Sequence, residues 1–228
     1  MRDRSVGLSV VLVALAFCAI APSAASATNT PLLTYPTGVP LLAGSKFKGR
    51  NVGEFRTTNQ GSVTLACSII EMTGTVRKNT GSDIEADVES FALGGTGGVN
   101  HCTQPTSYQT DWVFTSATNG LPWCLRSTST MKDDEVQIRG GACSGASRPI
   151  RVVLFTTFPE LTVECLYERS GAMVGTYTTE PGDAIVSFSE VEWTFKSGNL
   201  FTCPQSWKID MSLTLERDET GGGAFYIS

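Results

Sequence analysis

Apolar and polar positions alternate with a period of two through most of this chain. Trp207, Ile209, Met211, Leu213 and Leu215 interleave with Lys208, Asp210, Ser212 and Thr214. That period predicts a strand with one face buried. Val63, Leu65, Cys67 and Ile69 alternate in the same way. Arg151 to Thr156 is apolar on both parities and predicts a central strand covered on both faces. Thr, Val, Ser and Phe dominate these runs, and branched and aromatic side chains suit a pleated surface. Turn-forming clusters separate them, among them Asn79-Thr80-Gly81-Ser82, Glu180-Pro181-Gly182-Asp183 and Ser197-Gly198-Asn199. Helical periodicity is nearly absent. The prediction is an all-β fold, an antiparallel sandwich or barrel.

The stretch Leu121 to Gly145 predicts a hairpin. Leu121 to Leu125 ends one strand, Ser127 to Asp134 is polar and turn-forming, and Glu135 to Arg139 alternates as the return strand before Gly140-Gly141.

The first 27 residues depart from this pattern. Arg2 and Arg4 precede an apolar run to Ile20, and Ala25-Ser26-Ala27 offers a small-residue cleavage motif. This is the layout of a secretory signal peptide, with a mature chain from Thr28. Residues 28–44 carry three prolines and no charge before Lys46, and read as an extended lead-in. Residues 45–228 then form a single all-β domain.

Export changes the reading of the cysteines. Besides Cys18 in the leader there are six: Cys67, Cys102, Cys124, Cys143, Cys165 and Cys203. An even set in an exported chain predicts disulfides. A faint internal repeat suggests which ones. Cys67, Gly74-Thr75 and Cys102 recur in order as Cys165, Gly175-Thr176 and Cys203, within pseudo-repeats near 61–102 and 160–203. If the units are equivalent, the pairs are Cys67–Cys102 and Cys165–Cys203, which leaves Cys124–Cys143 inside the hairpin.

The hairpin motifs Leu121-Pro122-Trp123-Cys124-Leu125 and Asp134-Glu135-Val136-Gln137-Ile138-Arg139-Gly140-Gly141 occur together with the leader, with Thr34-Tyr35-Pro36-Thr37-Gly38 and with Asp210 to Glu216 before a terminal Tyr226-Ile227-Ser228. On these the chain resembles a family of exported, cysteine-paired, β-rich proteins of high-GC Gram-positive bacteria. The resemblance implies an exported all-β domain and no assigned catalytic residues.

Net charge is −5, with 17 basic and 22 acidic residues. That balance argues against nucleic acid or an anionic lipid surface as partner. No later segment is long and apolar enough to be a membrane-spanning helix, so no membrane span is expected after cleavage.

Several chemistries can be weighed. Gly141-Ala142-Cys143-Ser144-Gly145 has the spacing of a nucleophile elbow. A strand follows it, though, instead of a helix, and His101 is the sole histidine. One histidine cannot build a zinc site. Asp133, Asp134 and Glu135 are consecutive, so on a strand they would point to alternate faces rather than converge on calcium. No metal or cofactor is implied. Paired acids such as Glu164 and Glu168, or Glu190 and Glu192, would suit a glycosidase, but nothing singles out one pair.

The aromatics offer the stronger lead. Trp193 and Trp207 fall on apolar strand positions and read as core. Trp123 lies between Pro122 and Cys124. Exposed, with Asp133, Asp134, Glu135 and Arg139 nearby, it would stack on a sugar ring. Buried, it would cover the disulfide. The first expectation is therefore an exported non-enzymatic β module, structural or interaction-type at the cell surface, its partner a cell-envelope glycan or protein. The alternatives are a carbohydrate-binding module built on Trp123 and, third, a hydrolase.

Overall fold

In the computed structural model the described residues are 33–34, 38–59, 62–93, 102–103, 113–117, 120–132, 134–158, 161–178, 184–198, 203, 205–218 and 226–227. For strand residues 62–64, 102–103, 113–117, 154–158, 161–163 and 226–227 only the backbone is described. The leader, His101, Trp112 and Asp133 lie outside.

Every regular element among the described residues is a strand: β1 (Leu33–Thr34), β2 (Lys46–Asn51), β3 (Phe55–Asn59), β4 (Ser62–Cys67), β5 (Ile70–Asn79), β6 (Asp83–Leu93), β7 (Cys102–Thr103), β8 (Val113–Ala117), β9 (Trp123–Thr128), β10 (Glu135–Gly140), β11 (Ile150–Phe158), β12 (Leu161–Arg169), β13 (Met173–Tyr177), β14 (Ile185–Gly198), β15 (Ser206–Arg217) and β16 (Tyr226–Ile227). The fold is all-β, as the alternation predicts.

Eight strands close on themselves in the order β15-β2-β5-β6-β9-β10-β13-β14, and β14 returns to β15. All the pairings are antiparallel. Closure satisfies every strand's backbone from both sides and leaves no edge. The buried parity is apolar. In β2, Phe47 is buried while Lys46 and Arg50 face out. In β10, Val136 and Ile138 are buried between half-buried Glu135, Gln137 and Arg139. An apolar interior under a charged outer face is the reverse of a membrane-spanning barrel, whose apolar band faces outward.

The interior fills without gaps where it has to. A Cβ on Gly74 would lie 2.1 Å from the Asp87 carbonyl oxygen and 2.6 Å from the Phe47 ring. One on Gly175 would lie 2.2 Å from the Ser187 oxygen and 2.6 Å from the Phe188 ring. Both glycines let an aromatic ring lie flat over the backbone, a close approach that a side chain would block. They are the glycines of the two Gly-Thr motifs.

The longest strands, β14 and β15, outrun the barrel. Ile185 to Phe188 pairs with Met211 to Thr214 inside it, and Val191 to Thr194 pairs with Ser206 to Ile209 beyond it. A bulge lies between the two halves. Glu190 takes a left-handed φ of 52° there. The Ser189 hydroxyl and the Glu190 N–H both donate to Asp210 Oδ1, each at 2.8 Å. A bulge adds twist and bends its strand. Here it turns the ribbon out of the barrel and into a second sheet, β7-β4-β3-β15-β14-β12-β11-β8. One hydrophobic cluster runs through both parts.

Two expectations shift. Val63 to Ile69 is not one strand, because β4 stops at Cys67 and β5 starts at Ile70. The Asn51 amide interrupts the run: its Nδ2 donates to the Ser68 carbonyl at 2.7 Å, and its Oδ1 accepts the Ile70 N–H at 2.7 Å. The lead-in is also more than a tether. Leu33 and Leu41 are buried in the core. Asn79 ties both in, its Nδ2 donating to the carbonyls of Leu33 at 2.7 Å and Leu41 at 2.9 Å.

Candidate functional site

The hairpin forms as the pattern predicts, with Gln137 opposite Arg126 and Gly140 opposite Trp123. Its first strand runs further than expected, through Thr128. The reason is its other edge, where Ile84 and Asp83 of β6 pair with Ser127 and Thr128. The hairpin is thus barrel wall on both sides rather than a projecting tip.

Cys124 and Cys143 are bonded, with Cα atoms 4.7 Å apart. The bridge does not join the two hairpin strands rung to rung. After Gly140 the chain turns at Gly141 (φ 88°) and folds back, which brings Cys143 over β6. Its N–H donates to Asp87 Oδ1 at 2.7 Å. Asp87 is 1 % exposed, and its other oxygen accepts Arg77 Nε at 2.6 Å. A buried carboxylate costs several kcal/mol unless it is paired and hydrogen-bonded, and Asp87 is both. As a bridged residue in a turn, Cys143 is not a nucleophile elbow.

The residues expected to form a binding tip are not brought together. Trp123 is 1 % exposed, which corrects the reading of an exposed sugar-stacking ring. It packs against Phe91 with ring centroids 5.3 Å apart. Asp134 is exposed in the turn with φ 62°, and its carbonyl accepts the Tyr177 N–H at 2.9 Å. Glu135 opens β10, where its Oε1 accepts Gln137 Nε2 at 2.7 Å and its carbonyl accepts the Ser127 hydroxyl at 2.6 Å. Trp123 and Ser127 are four residues apart along β9, about 13 Å at ~3.3 Å per residue. The acids and the indole therefore sit at opposite ends of the hairpin. Arg139 is at the Trp123 end, but its guanidinium turns into the fold-back loop, donating to the carbonyls of Cys143 at 2.9 Å and Gly145 at 3.1 Å.

Cys165 and Cys203 form a second bridge, with Cα atoms 5.7 Å apart. Cys67 is also disulfide-bonded. Its register partner across β4 and β7 is Cys102, whose side chain lies outside the described residues. A disulfide-bonded fold fits an oxidising compartment.

Of the acids weighed for glycoside hydrolysis, Glu190 and Glu192 line one surface pocket, where Lys208 Nζ lies 3.6 Å from Glu190. Glu168 accepts Arg151 Nε at 2.9 Å and lies 3.4 Å from Lys196 Nζ. The Arg151 hydrogen bond, aided by Lys196, holds its carboxyl below the ordinary value. A general acid needs the opposite shift. Glu89 is likewise held low, by Lys46 and Thr75. Among the described residues, no group of three His, Cys, Asp or Glu could hold a metal ion.

What the sequence did not reveal is an aromatic cavity between barrel and second sheet. It measures about 30 Å³. Trp123 reaches it from β9, Met173 from β13, Tyr167 from β12, and Trp193, Trp207 and Met211 from the ribbon. Trp193 and Trp207 are direct cross-strand neighbours. Tyr167 stacks on Trp207 at a centroid distance of 4.3 Å and a tilt of 20°. Burial pushes the Tyr167 phenol well above its ordinary value, so it stays protonated. Strand parity places these side chains on a buried face. That they converge depends on β14 and β15 leaving the barrel at the bulge, and no single stretch of sequence encodes that. No family model, curated protein or solved structure matches the chain.

Proposed function

We propose that this chain is an exported, non-enzymatic β module, structural or interaction-type at the cell surface, with a cell-envelope glycan or protein as partner. The observation that carries this reading is how the reactive groups in the hairpin stretch and on the neighbouring strand β6 are engaged. Cys143 is bridged, Asp87 is held by Arg77 and the Cys143 N–H, and Arg139 is forked onto loop carbonyls. Each serves to hold a barrel wall in place. The bridges and the leader-like first 27 residues support export. Burial of Trp123 removes the sugar-stacking surface from the alternative reading, and Glu168, held low by Arg151 and Lys196, is unsuited to serve as a general acid for the hydrolase reading.

The test has two arms. Mass spectrometry of secreted material is expected to find Thr28 at the N-terminus, and a mature chain still carrying Arg2 to Ile20 would overturn export. Ester, peptide and glycoside substrates are expected to stay at background. Turnover that is lost in Glu168→Gln while the fold is kept would overturn the non-enzymatic reading.

A further inference from the structure

The outward side chains of the β14–β15 ribbon behave differently on the two sides of the bulge. In the barrel, direct cross-strand neighbours bond to each other: the hydroxyls of Ser187 and Ser212 lie 2.8 Å apart. Such pairs ordinarily stabilise a sheet. Beyond the bulge the same register offers such pairs and they are not made. Glu192 is directly opposite Lys208, yet Lys208 Nζ lies 3.6 Å from Glu190 instead. The Glu192 carboxylate is left with no ion pair among the described residues. Thr194 is directly opposite Ser206, and neither hydroxyl makes a hydrogen bond among the described residues. The side chains of Asn59 and Gln205 make none there either.

These groups line two hollows that meet at Glu192. One, of about 380 Å³, lies over β3, β15 and β14, with Asn59, Gln205, Ser206 and Glu190 around it. The other, of about 330 Å³, lies between β14 and the turn after β12, with Glu168, Arg169, Thr194 and Lys196 around it. Both fall in the size range of small-molecule sites, which begins near ~300 Å³.

We propose that the two hollows form one binding track for a neutral oligosaccharide, which crosses the strands with a sugar ring on either side of Glu192. The proposal rests on the glycan partner of the module reading and gives that partner a place. Sugar hydroxyls both donate and accept. The track meets them with a carboxylate that accepts, and with amides and hydroxyls that do both. Charge sets the class. Glu168, Glu190 and Glu192 are offset by Arg169, Lys196 and Lys208, so the track has no net charge to draw an ionic ligand. Length follows from the sheet order β12-β14-β15-β3. Three strand spacings of ~4.8 Å give a path long enough for more than one ring. The walls are held before any ligand arrives. Arg169 donates to the Glu192 carbonyl at 2.9 Å and to the Ala172 carbonyl at 3.1 Å, which fixes the turn against β14. Trp193 and Trp207 are buried on the opposite face and support the floor. A preformed site loses less freedom on binding.

The experiment uses the full chain, labelled with ¹⁵N and titrated separately with cellotriose, chitotriose and trigalacturonate. The three probes match in ring number, and the last carries a charge on each ring. With a neutral probe, saturable shifts are expected at the backbone amides of Glu192 and Lys208 and at the side-chain amides of Asn59 and Gln205. Trigalacturonate is expected to bind at least tenfold more weakly. Glu192→Ala removes an exposed side chain that makes no ion pair, so the fold should hold, with the amide of Val76 in the barrel unmoved. It is expected to weaken the neutral probe at least tenfold. Glu89→Ala, on the barrel wall, is expected to leave binding unchanged. Absence of a saturable shift with both neutral probes would overturn the track. So would equal affinity for trigalacturonate, or equal loss in Glu192→Ala and Glu89→Ala. Each of those results leaves export and a protein partner standing, because neither depends on this face.

Discussion

Barrel and second sheet share one ribbon but solve different problems. The barrel closes, so each strand is paired on both sides and its interior must only be filled. It is filled tightly enough that Gly74 and Gly175 are required under Phe47 and Phe188. The second sheet ends in β7 and β8, and β7 is two residues long. Covalent ties gather there. Cys165 and Cys203 close one side of this sheet, and bridged Cys67 sits on the strand that holds β7. The barrel is closed by hydrogen bonds and carries one bridge, Cys124–Cys143, on its wall; the second sheet does not close on itself and is tied by Cys165–Cys203 and by bridged Cys67.

The largest expected effect breaks the sulfur-tied part. The Cys165–Cys203 bridge spans 38 residues. By the chain-entropy relation its loss costs about 4 kcal/mol. A Cys165→Ala/Cys203→Ala double variant is expected to lose about that much in urea unfolding, with the second sheet opening before the barrel. Equal loss at both ends of the ribbon would blur the distinction. Gly175→Ala addresses the other part. Its Cβ meets backbone at 2.2 Å, so a strand must move rather than a side chain. The expected cost is about 2–3 kcal/mol, read as a lower midpoint with barrel amides shifted and the Cys165–Cys203 bridge intact.

Much of this was legible in the alternation. β15 lies where Trp207 to Leu215 predicts it, and β10 where Glu135 to Arg139 does. The pairings Cys124–Cys143 and Cys165–Cys203 follow from the hairpin and from the recurring Cys and Gly-Thr spacing. What stayed hidden depends on partners distant in sequence. Asn51 breaks the Val63 to Ile69 run from across a strand pair. Asp210 reads as one more polar residue on an outer face, yet it holds the bulge that separates the two sheets. Trp123 is on a hairpin strand in either reading, and only the closure of β6 against β9, with Phe91 on it, decides that it is buried.

The smallest effect is electrostatic and belongs to the second sheet. Glu168 joins β12 to Arg151 on β11 and Lys196 on β14. Its folded-state value lies below the ordinary 4.5. A lowered carboxylate contributes stability that is in full above its unfolded value and is lost as pH falls through its folded one. Glu168→Gln is therefore expected to cost about 0.5–1 kcal/mol at neutral pH. The gap to the unaltered protein should close below the ordinary carboxylate range. A gap that persists at acid pH would mean the residue acts through packing instead.

Native-state hydrogen exchange reads the whole comparison in one experiment, because edge-free and edge-bearing regions open by different routes. Amides of Val186 and Leu213, in the barrel half of the ribbon, are expected to exchange only through global unfolding. Those of β8, Val113 to Ala117, are expected to exchange faster through local opening at the end of the second sheet. Equal protection across both, or faster exchange at Val186 and Leu213 than in β8, would contradict a closed barrel carrying an open second sheet.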